Sequence, residues 1–228
     1  MRKRLLALSV VLALGLVGCA GRAAKAEKAE SEAVSTETAE SETEVSSSEV
    51  ATEASTETVG DLGSSSEIDI SGCKDFKQII DERLENGMGY ARANIGGIDV
   101  LLVASGCYDN MDGNMAAIDA GIYANGKDGV ITYVGGVEAG GTAYPLAIKD
   151  GKLFVGGNHF MCKYVIVKGK LKAAVKAYEE FDNEGNATYF YDSEEEGIHG
   201  ETDDDTLLPA MYDEYGQAEV INFTMIQK

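Results

Sequence analysis

The chain has 228 residues and a formal net charge of −20. That length allows one or two domains, and the acidity disfavours direct contact with nucleic-acid phosphates or anionic lipid head groups. All 11 Tyr, all 6 Phe and both Pro lie beyond residue 67, so a core is expected only in the last stretch of about 160 residues.

Arg2, Lys3 and Arg4 precede an apolar run from Leu5 to Val17. About thirteen residues is the length of the hydrophobic part of an export signal, and a bilayer span needs about 20. The run ends in Leu16-Val17-Gly18-Cys19, which resembles the lipobox of bacterial lipoproteins. The resemblance implies that residues 1 to 18 are a cleaved signal peptide and that Cys19 carries the lipid, a palmitate-type anchor on the extracytoplasmic face of the cell membrane. Two or more acyl chains hold a protein stably, at about 0.8 kcal/mol per buried CH₂, where one chain does not. Residues 19 to 67 are rich in Ala, Ser, Thr and Glu and contain no aromatic residue. Such a composition buries too little apolar surface to offset ordering entropy, so a disordered tether is expected, holding the domain on the order of 40 Å from the membrane.

Residues 68 to 228 form the single domain. Asp75, with Gln78 three positions on, predicts a helix N-cap followed by Phe76, Ile79, Ile80 and Leu84 on one face and Gly87 as the stop. From Met88 onward, short runs rich in Val, Ile and Tyr alternate with Gly, Asn and Asp turns. They predict strands near 89–95, 98–105, 115–125, 130–137, 142–149, 152–156, 160–167, 170–181 and 187–192. A second helix is expected at about 206–215, then a closing strand at 218–226 in which Ile221, Phe223 and Met225 alternate with Asn222 and Thr224. The expected fold is mainly β with two short helices, an antiparallel meander of hairpins with a propeller-like or barrel-like sheet.

The segment Tyr90 to Val103 (YARANIGGIDVLLV) resembles a recurrent extracellular module in lipoproteins of Gram-positive, mostly anaerobic bacteria. In that module an Asp-rich loop of FG-GAP or calcium-loop type leads into a strand. Tyr108 to Asn114 and Gly140 to Leu146 are similar to its later parts, so the resemblance spans roughly residues 74 to 170. It implies a calcium-loop β module. The chain departs from the pattern in the first loop, where Asn94, Gly96 and Gly97 stand at ligand positions. Six to eight oxygens are needed, so that loop is not expected to hold calcium.

In the second loop Asp109, Asp112 and Asn114, with Asp119 nearby, are candidate metal ligands. Their spacing does not fit an EF-hand, and the competing reading is a turn closed by its own Asx hydrogen bonds. At most weak calcium binding of about millimolar class is expected. The loop Gly135 to Pro145 has two glycine pairs for close backbone approach, and Tyr144, Thr142 and Glu138 offer an aromatic face and polar groups to a sugar or peptide. The other reading of that loop is a bulged connection with Tyr144 in the core. His159, one of only two histidines, completes the candidate ligand set. Cys73, Cys107 and Cys162 allow one disulfide and one free thiol or three free thiols.

No nucleophile, base and orienting group occur together in the sequence, and no phosphate loop is present. The expected function is a membrane-anchored, non-enzymatic binding module for a cell-wall, glycan or protein partner. The alternatives are a carboxylate-based envelope hydrolase and an accessory subunit of an envelope complex. Cys19→Ser is expected to abolish labelling of the protein by radioactive palmitate and to release or misprocess it; labelling that persists in the variant would sink the lipid assignment.

Overall fold

The computed structural model describes residues 67–126 and 128–228; the signal segment, Cys19 and the tether up to residue 66 lie outside the described residues. In chain order the elements are α1 (Phe76–Arg83), β1 (Gly89–Ile95), β2 (Ile98–Ala104), β3 (Tyr108–Asp109), β4 (Met115–Ala116), β5 (Asp119–Asn125) and β6 (Ile131–Glu138). They continue with β7 (Ala147–Lys149), β8 (Lys152–Gly157), β9 (Phe160–Val167), β10 (Lys170–Phe181), β11 (Ala187–Ser193), β12 (Glu201–Thr202), α2 (Leu207–Tyr215), β13 (Glu219–Val220) and β14 (Thr224–Met225). The protein is mainly β, and its strands pair antiparallel in two larger sheets and one small ladder of β3 with β4. The first sheet runs β14-β1-β2-β5-β6, the second β12-β11-β10-β9-β8-β7-β13. Neither closes into a barrel.

Strand periodicity assigns the two faces of each sheet. Along β2, Val100 and Leu102 enter the core between the sheets, where Ile122 of β5, Leu153 and Val155 of β8 and Leu146 meet them. Leu101 and Val103 point the other way and pack, with Tyr123, under Phe76 and Ile79 of α1. On the far side of the second sheet, Phe154, Met161, Ala177 and Tyr191 lie beneath Leu208 and Met211 of α2. The layers are therefore helix, sheet, sheet, helix. This explains why Val100–Ala104 reads as a continuous apolar run, since a strand covered on both faces has no solvent side.

Local chemistry sets the helix positions. The Asp75 carboxylate accepts the Gln78 N–H at 2.8 Å, and Gln78 Oε1 accepts the Lys74 N–H, satisfying donors at the N-terminus of α1. Lys163 on β9 pairs with Glu214 and ties α2 to the sheet.

Three expected strands differ in extent. The stretch 115–125 breaks because the Ala117 and Ile118 carbonyls accept N–H groups of Leu146 and Ala139 from another loop. The stretch 142–149 shrinks to Ala147–Lys149: Tyr144 N–H closes a turn onto Gly141, and Pro145 has no N–H. The single closing strand at 218–226 is two strands in two sheets. Ile221 donates to Leu146 O and Phe223 to Met115 O, so the chain crosses between the sheets through the core they share.

One glycine of each pair in the 135–145 segment serves close packing, Gly135 within β6 and Gly140 in the loop after it. A Cβ on Gly135 would lie 2.8 Å from Leu171 Cβ, where β6 meets β10, and one on Gly140 would lie 2.9 Å from Gly157 Cα. The second contact is backbone against backbone and cannot be relieved by a side-chain rotation. Gly140→Ala is expected to destabilise the domain by about 1–3 kcal/mol in denaturant unfolding, the range typical of overpacking. Gly106→Ala, where the nearest atom is 4.0 Å away, serves as the near-neutral control.

Candidate functional site

The second sheet is wider than the first. Leu171 of β10 is the last residue of the β10–β11–β12 side to join the core between the sheets, so the rest of that side extends past β6. A bulge between Ala173 and Val175 resets the alternation, placing Val175 and Ala177 toward α2 and Lys176, Tyr178 and Glu180 on the opposite, uncovered face. There the register sets Phe160, Tyr178, Phe190 and Glu201 side by side across four strands. The rings of Tyr178 and Phe190 stack with centroids 4.6 Å apart and 8° between planes. Lys176 Nζ lies 4.0 Å from the Tyr178 ring centre, within cation–π range. Asp192 stands opposite Lys176 in the next row. All three aromatic residues are half-buried, so the row is a flat apolar strip edged by charge.

A tight turn holds this hairpin in register. Asp182 accepts the N–H groups of Glu184 and Asn186 at 2.8 Å each and the Asn186 side-chain amide, while Gly185 adopts φ +85°. With Phe181 paired to Ala187, Tyr178 must face Phe190. The Asn186 side chain and then its N–H hold the Asp182 carboxyl below the usual carboxylate range.

The structure places Tyr144 elsewhere, against α2, and leaves Thr142 exposed. The Tyr144 ring lies 5.7 Å from Tyr212 and 6.1 Å from Tyr215, half-buried, and the Thr142 carbonyl accepts the Tyr108 hydroxyl. Tyr212 donates to Gly157 O and Tyr215 to Pro145 O, and burial pushes both phenols up to about 12. Glu138 is exposed at the end of β6, opposite Asp119. His159 is exposed, 2.9 Å from Glu179, with its ring edge-on to Phe181 at 5.2 Å. Tyr144 is thus part of the packed cluster at α2, while Thr142, His159 and Glu138 stand on the surface.

In the second loop Asp109 accepts the Met111 N–H and Asp112 the Asn114 N–H, each the Asx closure of a turn. The Asn114 N–H, followed by the Asn110 side chain, lowers the Asp112 pKa. Asp119 is taken up by the Ser105 N–H and hydroxyl. Among the described residues, no three His, Cys, Asp or Glu side chains converge as a metal-holding group. Cys73, Cys107 and Cys162 are free thiols. Cys162, opposite Lys176 on β9, is buried, which pushes its pKa up to about 11.

Set against known protein families, curated proteins and solved structures, the chain matches none.

The aromatic row was not singled out in the sequence, although its signal is there. Counting back three residues from Phe181 and forward three from Ala187 across the turn gives Tyr178 and Phe190. Because the Asp182 pKa is depressed in the fold, its contribution is complete above the unfolded carboxylate pKa and lost as pH falls through the folded one. Protection of the Glu184 and Asn186 amides against hydrogen exchange is expected to fall between about pH 5 and pH 2. Asp182→Asn should flatten that dependence.

Proposed function

We propose that the chain is a lipid-anchored extracytoplasmic binding module whose ligand is an envelope glycan, held on the face formed by Phe160, Tyr178 and Phe190. The flat Tyr178–Phe190 stack carries this reading. A pyranose ring presents a face of C–H groups that lies well on an aromatic π surface, and such contacts add to simple area burial. Its hydroxyls need donors and acceptors around that face, and Lys176, Asp192 and Glu201 supply both. Stacking of nucleic-acid bases would use the same rings, but the net charge of −20 opposes the phosphates that come with them.

The thiol beside the strip does not favour nucleophilic chemistry there. Cys162 is the thiol nearest Lys176 in register, and at about 11 its pKa keeps it protonated and poorly nucleophilic at neutral pH. The signal-like N-terminus and Cys19 support the extracytoplasmic address.

Retention of the full chain on purified peptidoglycan tests the proposal. Tyr178→Ala and Phe190→Ala are each expected to weaken retention by about tenfold, or about 1.4 kcal/mol. Tyr178→Phe, which keeps the stack, should bind nearly as well as the original. Retention unchanged by both alanine substitutions would rule this face out.

A further inference from the structure

The crossing of residues 221–223 between the sheets leaves two strand edges facing one gap. β14 pairs with β1 only at Gly89 and Tyr90, although β1 runs on to Ile95. Ile226 N–H donates to Met88 O, so by alternation Tyr90, Arg92 and Asn94 turn their peptide groups away from β2. At Arg92 and Asn94 no strand among the described residues meets them. Across the gap β13 is the terminal strand of the second sheet. Ile221 N–H donates back to Leu146 O, so Val220 turns its own peptide groups outward.

Between these edges lies a cleft of about 510 Å³. Its floor is Ala93, Ile148 and Ile221, all part of or packed on the core between the sheets. Arg92, Asn94 and Glu219 form the polar rim. An apolar floor with peptide groups on the walls is complementary to an extended peptide. Only a polypeptide offers N–H and C=O groups at the strand repeat, with alternate side chains free to turn inward. From Arg92 to Asn94 the open edge is three residues, about 10 Å of strand. Charge selects among peptides. The Arg92 guanidinium already sits 4.6 Å over the Phe76 ring, whereas Glu219 has no ion pair among the described residues. Together with the net charge of −20, this favours a neutral or basic segment.

We infer that this cleft receives an extended, neutral-to-basic peptide segment of a protein partner, which hydrogen-bonds along β1 at Arg92 and Asn94 and bridges the two sheets. The inserted strand alternates its side chains, apolar ones over Ile148 and Ile221 and basic ones toward Glu219. This site is separate from the aromatic face and stands whether or not a glycan binds there.

The test uses the full chain and an acetylated, amidated pentapeptide alternating lysine with valine, beside the same peptide N-methylated at the two amides that would pair with β1. The unmethylated peptide is expected to slow hydrogen exchange at the Arg92 and Asn94 amides and to bind at least tenfold more tightly than the methylated one. Arg92→Ala keeps the backbone donor and should bind within about threefold of the original. Arg92→Pro removes that donor at an edge position that tolerates proline, and should abolish binding. Where Arg92→Pro fails to fold, the methylated peptide decides. Equal binding of both peptides, no binding at millimolar concentration, or protection confined to other amides would overturn the inference. So would protection of Arg92 and Asn94 that grows with protein concentration in the absence of peptide, which would assign the edge to a second copy of the chain.

Discussion

Strands with apolar side chains on both faces need a cover on each, and the architecture follows from meeting that need twice. Val100 and Leu102 are buried by the facing sheet, which leaves Leu101 and Val103 to be covered by α1. Phe154 and Met161 make the same demand on the other side, and α2 meets it. At eight and nine residues, these helices are too short to persist alone in water. They exist because an apolar sheet face receives them. The two sheets differ in width, however, with five strands against seven. The strands in excess keep one face uncovered, and the aromatic row lies on that face.

Much of the fold was legible because its signals are local. The capping pair Asp75 and Gln78, the Gly96-Gly97 turn and the alternation along β9 to β11 each act within a few residues, and the hairpins came out with nearly the expected bounds. What could not be read was long-range. The break in the closing segment depends on Met115 and Leu146 accepting hydrogen bonds from Phe223 and Ile221, partners 108 and 75 positions away along the chain. Alternation was correct there, since Ile221 and Phe223 are buried, but it cannot say which sheet a buried side chain belongs to. The separation into two sheets was hidden for the same reason.

The candidate residues show a parallel division. Between glycines and a proline, Tyr144 allowed both an exposed ligand-facing reading and a packed one; Gly140 lets its loop close onto Gly156 and Gly157 and brings the ring against α2. Tyr178 and Phe190 looked like ordinary strand residues because nothing in either strand alone marks them. Their significance depends on register across the Asp182 turn and on β6 ending the opposite sheet. The Asp109–Asn114 loop spends its N–H groups on its own carboxylates, and that self-contained arrangement was the one its irregular spacing suggested.

The first described residues bear on how the domain carries load. Ile68 N–H donates to the hydroxyl of Tyr123, whose ring is fully buried under α1. Tension applied at residue 67 would therefore enter on the outer face of the first sheet, while the aromatic strip lies on the far margin of the second. A pull between these points runs from α1 through the first sheet to the second and leaves α2, on the opposite face of the second sheet, out of its path. The first helix in its path is α1, held by the burial of Phe76 and Ile79 at about 1.5–3 kcal/mol each and by the Lys228 ammonium, which donates to the Asp81 and Leu84 carbonyls. Under such a pull the helix would act as a mechanical fuse, yielding before the antiparallel ladders behind it.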